Sequence, residues 1–305
     1  MATLELVPLT EAEFQKPDAY VLFGTLRFGR MGPGDPTMAL TSSAARRVFW
    51  VGAHPHMLAV QIKDNRLLVQ QWGQTPLTHR AVEAFLGLHA PPLSVQGHPR
   101  LEALSLRHRG IHLSRTVTFG YDLIRTVLQQ LIEWKDAASA WQRWVKRHGT
   151  PIDGRGGLVL PPTYSAIHRS LGLDFHTLGI SRRRSQLICE IGRLGSRIER
   201  WAHEDRDRLR RRLRAIPQLG PWTIEHVLGF SLNAADAVPI GDYQLPHTVA
   251  WALREQPRSS DEEMLELLEP WSGHRWHVLR LLFAANVSAP RWGPRLNTGR
   301  PHRPR

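Results

Sequence analysis

The residues of this 305-residue chain that could do chemistry crowd into one stretch, Arg206 to Leu253. Asp242, at the end of Val238-Pro239-Ile240-Gly241-Asp242, stands where a broken helical period resumes. It is therefore placed to cap the helix that follows, with Pro246 tolerated in the first turn, and capping alone is worth about 1 kcal/mol. The same carboxylate, held by helix-terminal amides beside a groove, would be complementary to positive charge developing on a bound molecule. Upstream, Arg206, Arg208, Arg210, Arg211, Arg212 and Arg214 crowd a helix that ends at Ile216-Pro217. A tight Gln218-Leu219-Gly220 turn follows, and Pro221 suits the first position of a new helix because its missing N–H would be unpaired there anyway. Two helices joined in this way present backbone N–H groups at a positive helix end, a device that holds a phosphate without reading a base.

The elements that must position these groups differ along the chain. From Ala19 to Trp72, β-branched and aromatic residues cluster in YVLFGTLRF, RRVFWV, HMLAVQI and RLLVQQW, separated by turn residues, which predicts an antiparallel sheet. A helix near 77 to 88 follows, capped by Thr75 or Thr78, and Pro91-Pro92 with Gly97-His98-Pro99 reads as a linker to a boundary near residue 105. Beyond it the period is helical. An apolar stripe from Tyr121 to His148 predicts one bent helix or two, with Trp134, Trp141 and Trp144 in the core. Pro151 to Pro162 reads as a loop, followed by helices around 163–171, 174–178, 181–200 and 205–215. Ser260 and Glu263 have the spacing of a capping box.

The organisation expected is thus α+β: residues 1–105 an antiparallel sheet-rich domain, 106–290 an all-α region with its helical hairpin at about 205–232, and 291–305 a basic, flexible tail with five arginines and no acid. The net charge of +13, carried by thirty-six arginines against four lysines, favours polyanionic partners, nucleic acid first. The single cysteine, Cys189, excludes disulfide frameworks and cysteine-ligated zinc or iron–sulfur clusters, and the chain reads as intracellular with no signal peptide or membrane span. Among sixteen histidines, His54-x-His56 and His274-x-x-His277 lack carboxylate partners, so no side-chain metal site is expected.

The order of a charged helix, I-P-x-x-G-P-W-T, an intervening helix, P-I-G-D-Y and a closing helix resembles the helix-hairpin-helix superfamily of DNA glycosylases. The Trp after Gly-Pro, the E-P-W-S-G-H-R-W block at 269–276 and Val127-Leu128-Gln129-Gln130-Leu131 make it most similar to the 3-methyladenine DNA glycosylase II branch, which excises alkylated purines. The motifs lie between about 100 and 290; the first hundred residues agree in general character.

The resemblance implies that Asp242 is the catalytic aspartate and that Trp222, with Tyr243, lines the pocket for the extruded base. Trp222 stands where lyase-type members carry a catalytic lysine. Gln130 and Leu131 match the segment of the wedge that fills the gap left by that base. The hairpin Gln218, Leu219 and Gly220, with Thr223, would bind the DNA backbone, an alkali cation being held by hairpin carbonyls. Gln218 replaces the family's first hairpin glycine, at a steric cost if its φ is positive, and Gln129 stands where a small residue is common. With Lys16, Lys63, Lys135 and Lys146 all distant from the hairpin in sequence, a monofunctional enzyme leaving an abasic site is expected. It needs no cofactor, works on double-stranded DNA as a monomer without an obligate protein partner, and resides in the cytoplasm with the nucleoid. Two other readings are a non-catalytic hairpin protein that only binds DNA and a glycosylase for a different damaged base.

Overall fold

The computed structural model describes residues 4–153, 156–170 and 175–290. The expected basic tail and the start of the helix expected at 174–178 lie outside them. Strands β1 (Pro8–Gln15), β2 (Met38–Leu40), β3 (Ala44–Val51), β4 (His54–Lys63) and β5 (Arg66–Trp72) form one antiparallel sheet in the order β1-β5-β4-β3-β2. Register places Ala45 opposite Val60 and Val60 opposite Val69, so one face is continuous and apolar. That face buries Phe14, Leu58, Val60, Leu67 and Val69 against Leu22 and Leu26 of α1 (Leu22–Leu26) and Val82 and Phe85 of α2 (His79–Leu86). The opposite face, with Val48, Met57 and Trp72, packs on Ile152, Leu158 and Leu160.

Two expectations for this part are corrected. The YVLFGTLRF segment is not a strand: it forms α1 and a 3-10 turn at Arg27–Gly29, because Leu22 and Leu26, four residues apart, bury together. Edge strand β1 was not expected, since its outward glutamates dilute the alternation. Residue 105 lies inside α3 (Pro99–Arg107), whose N-cap is His98. Thr78, not Thr75, caps α2 by accepting the Ala81 amide at 3.3 Å.

The helical region contains α4 (Phe119–Leu128), α5 (Trp134–His148), α6 (Tyr164–Arg169), α7 (Arg182–Leu194), α8 (Ser196–Trp201), α9 (Arg206–Arg214), α10 (Pro221–Leu232), α11 (Leu245–Arg254), α12 (Asp261–Leu268) and α13 (Arg275–Ala284). The stripe from 121 to 148 is two helices, broken at Leu131, whose φ is +59°. The stretch expected as a plain loop contains a short ladder, β6 (Thr150–Pro151) with β7 (Val159–Leu160). The capping box at α12 is present in both directions, with Glu263 N to Ser260 Oγ at 3.2 Å and Ser260 N to Glu263 Oε2 at 3.0 Å. None of the described helices is long and apolar enough to cross a membrane.

Central α4 is held at its start by a buried carboxylate from α8: Glu199 accepts the Phe119 amide at 2.7 Å and the Gly120 amide at 3.1 Å, and Tyr164 donates its hydroxyl to it. Burial raises the Glu199 carboxyl above its ordinary range. Helix α10 lies against α4 and α13, and its Gly229 makes room for Trp276: a Cβ there would stand 2.6 Å from the indole ring. Gly229→Ala is expected to lower stability by about 1–3 kcal/mol, read as a fall in Tm, whereas Gly220→Ala, with no atom within 4 Å of its added carbon, should change Tm little.

Candidate active site

The site is built from the hairpin outward. Arg210 of α9 donates to Glu225 of α10 at 2.8 and 3.0 Å, locking the two hairpin helices together. Arg208 and Arg212 share Glu204, so much of the arginine row seen in the sequence serves the fold. Between the helices Gln218 has φ +71°, the strained turn anticipated for a non-glycine residue. Leu219 is buried as an anchor, and Gly220, which offers no side-chain cap, leaves the first amides of α10 open to an outside acceptor. Thr223, expected at the DNA backbone, is 2% exposed as a whole residue, and its hydroxyl accepts Gln130 Nε2 at 2.9 Å.

Asp242 is held from three directions. Oδ1 accepts the Gln244 amide at 2.8 Å and the Leu245 amide at 2.9 Å, which caps α11 as the sequence implies. Oδ2 accepts the indole N–H of Trp222 at 2.7 Å. Gly241 supports the turn with φ +87° and an amide donated to Asp261 Oδ2 at 2.8 Å. Asp242 and Trp222 both line a cleft of about 1990 Å³ at the junction of sheet and helices.

One face of α10 continues the aromatic wall into that cleft. The Trp222 and His226 rings lie 5.0 Å apart, His226 and Phe230 4.6 Å apart, and Phe28, from the 3-10 turn after α1, stacks on Phe230 at 5.6 Å. Trp276 is fully buried behind Phe230 at 4.8 Å, edge-on. Sequence reasoning missed Phe28, His226 and Phe230, although the spacing 222, 226, 230 marks a single helix face. Tyr243 lines the cleft but is 70% exposed, at its mouth rather than in the aromatic wall.

Cations stand behind the wall. The Arg280 guanidinium lies 3.7 Å over Phe28 and 5.6 Å from Phe230, with no ion pair among the described residues. Burial and nearby Arg27 push its pKa down to about 9. Arg47 and Arg125 flank Asp122 and both donate to the Gly29 carbonyl, fastening the turn that carries Phe28 to β3 and α4. Burial pushes Arg47 down to about 10 and Arg125 to about 9. Burial pushes His226 down to about 4, partly opposed by Asp242.

On the rim beside the hairpin Leu131 is 97% exposed with its backbone left-handed. Gln130 reaches from that turn to Thr223 and, at 3.5 Å, to the Gln218 carbonyl. The structure therefore brings Asp242, Trp222, Tyr243, Gln130, Leu131 and the hairpin to one cleft. Trp134, expected in the core, is 52% exposed and lines the same cleft, because α4 ends at Leu128 and the apolar stripe does not run through it. Trp141 and Trp144 are buried as expected. Lys135 also lines the cleft, beside an ion pair to Glu133 at 2.8 Å. Among the described residues no three His, Cys, Asp or Glu side chains converge to hold a metal.

No family model matches the sequence. The chain is 20% identical to a 3-methyladenine DNA-glycosylase from Archaeoglobus fulgidus, whose structure superposes with a TM-score of 0.76 over 89% of this chain and 97% of that one. The chain has the fold of the helix-hairpin-helix DNA glycosylases. A DNA-3-methyladenine glycosylase of Bacillus subtilis is 28% identical over 226 residues, 70% of this chain and 73% of that protein. A probable bifunctional transcriptional activator/DNA repair enzyme AlkA of Mycobacterium tuberculosis is 30% identical over 149 residues, 48% of this chain. The match spans 30% of that relative's own length. The resemblance to the alkylpurine branch of the glycosylases thus holds in sequence and in fold.

Trp222→Phe keeps an aromatic ring, smaller than the indole, and removes the N–H held by Asp242; a stability loss of about 1–3 kcal/mol in urea unfolding is expected. The depressed pKa of His226 means that the unfolded chain, titrating near 6.5, takes up the proton first. Stability should therefore fall as pH drops from about 6.5 toward 4, and His226→Gln should flatten that part of the profile while the share due to other buried histidines remains.

Proposed function

We propose that this protein is a base-excision repair DNA glycosylase that extrudes an alkylated purine of the 3-methyladenine type from double-stranded DNA and hydrolyses its N-glycosidic bond. It is monofunctional, acts as a monomer and leaves an abasic site. The observation that carries the reading is the 2.7 Å bond from Trp222 Nε1 to Asp242 Oδ2, which sets a carboxylate at the edge of an aromatic wall inside a cleft.

The chemistry follows from the groups present. The hairpin amides take a phosphate, and Leu131, which buries nothing in the protein, enters the stack in place of the extruded nucleotide. The flipped base lies against the indole, where an electron-poor ring stacks well. As the C1′–N bond breaks, its electron pair leaves with the base and positive charge builds on the sugar. Asp242 stabilises that charge, water adds its oxygen to C1′, and the proton released passes to the carboxylate or solvent. An alkylated purine already carries positive charge, so no strong general acid is needed. The hairpin fits an alkali cation: its Gln218 and Gly220 carbonyls each keep a second lone pair beside their bonds to Gln130 and Ile224. Held there, such an ion would supply positive charge for an anionic phosphate.

One observation favours a different damaged base. Arg280 and Arg27 stand behind Phe28 with no carboxylate bonded to either among the described residues, which disfavours a cationic ring there and suits a neutral damaged purine.

Release of free base from methylated duplex is expected for the wild type and at least about a hundredfold less for Asp242→Asn; equal DNA binding with no release by either would sink the proposal in favour of a binding module. Leu131→Ala should slow excision about tenfold or more, the loss expected for one buried leucine, with less effect on a base that is already unpaired. Borohydride should trap no covalent adduct; one that disappears in Lys135→Ala would show a lyase. Affinity for undamaged duplex should fall linearly with salt in a log–log plot.

A further inference from the structure

His226 occupies the middle of the aromatic wall, and its hydrogen-bond polarity can be deduced. Its Nδ1 lies 3.5 Å from Thr126 Oγ1. The Thr126 hydroxyl donates its only proton to the Asp122 carbonyl at 2.9 Å, so toward the imidazole that oxygen can only accept. Nδ1 therefore carries the N–H. The ring is held neutral by burial, and in a neutral imidazole the second nitrogen is then a bare lone pair. That atom, Nε2, has no donor from the protein among the described residues, and it is not sealed in the interior: His226 lines the cleft between Trp222 and Phe230.

Stacking on Trp222 and Phe230 tolerates any flat ring, since every base has a π face. A fixed acceptor does not. It gains a hydrogen bond from a ring N–H or an exocyclic amine, and it is left desolvated and unpaired by a base that offers neither. We propose that His226 Nε2 is a specificity-determining acceptor that reads the edge of the extruded base, so that the pocket selects damaged purines presenting an N–H donor. The proposal rests on the glycosylase reading and adds a selection rule to it.

Two neutral lesions separate this rule from charge: hypoxanthine, which keeps its N1–H, and 1,N6-ethenoadenine, whose N1 and amine are closed into a ring. Single-turnover release from matched duplexes should show His226→Phe losing hypoxanthine excision about tenfold or more relative to ethenoadenine, with His226→Gln, which restores an acceptor, recovering most of it. An unchanged ratio in His226→Phe, with the variant folded by its Tm, overturns the inference and leaves the glycosylase reading standing. Should the wild type release neither base nor any methylated purine, the glycosylase reading fails, and binding of free bases by quenching of tryptophan fluorescence decides the acceptor separately. There His226→Phe should weaken 3-methyladenine about tenfold and spare 3-methyl-6-dimethylaminopurine; equal weakening of both overturns it.

Discussion

The bond between the Trp222 indole and the Asp242 carboxylate couples two segments twenty residues apart in sequence, and the working geometry of the cleft follows from it. A carboxylate offers about four lone-pair directions. Two are taken by the Gln244 and Leu245 amides and a third by the indole. One acceptor direction is left, and the side chain has no rotational freedom with which to aim it elsewhere. The same bond fixes the plane of the indole. Charge-assisted bonds of this kind are among the stronger ones in proteins, and here one of them sets both the electrostatic group and the surface on which a ring stacks. The orientation is complete before anything binds, which on the proposed reading would spare the carboxylate any reorganisation as charge develops.

The remainder of the cleft shows why the sheet belongs to the site. Phe28 faces the aromatic wall from a 3-10 turn in the N-terminal part of the chain, and its neighbour Gly29 is grasped by Arg47 from the sheet and Arg125 from α4. Arg27 reaches across to the Phe283 and Ala284 carbonyls at 3.0 and 2.9 Å, meeting the open end of α13. Burying this many guanidinium groups is unfavourable unless each finds carbonyls, a carboxylate or a ring face. Arg47 and Arg125 find a carbonyl in Gly29 and a carboxylate in Asp122, Arg125 lying in addition 5.9 Å over the Trp141 ring, whereas Arg280 relies on Phe28 and Phe230. The wall is thereby rigid from behind and open in front.

What could be read from the sequence was local. The caps at Ser260 and Thr78, the turn at Gln218 and the N-terminal proline of α10 are interactions among residues a few positions apart, and the residue types alone specify them. Asp242 and Trp222 were legible for the same reason, each sitting in a short breaker-rich motif. The failures are tertiary. The segment 20–28 has strand-forming residues, yet it coils because Leu22 and Leu26 bury against α2 and Gly24 lies under Ile111. Trp134 has the right spacing for the core stripe but follows a turn that rotates it out. Phe28 could not have been assigned to the cleft at all, since its partner Phe230 is two hundred residues away and no periodicity connects them.

Two non-glycine residues, Gln218 and Leu131, hold left-handed backbone on either side of the Gln130 bridge. Each such residue costs about 1–2 kcal/mol, and Leu131 adds the exposure of a full apolar side chain. Nothing in the folding of the chain recovers that cost, because the Leu131 side chain meets solvent. Strain of this sort persists where the surrounding structure over-determines it, and Gln130 is the residue that does so: its amide spans from the Leu131 turn to both the Thr223 hydroxyl and the Gln218 carbonyl. The projecting leucine and the hairpin are therefore joined as one unit. On the proposed reading, a hairpin grip on a duplex backbone would dictate which base step the leucine meets, and register along the strand would be set by a side chain that need not touch a base.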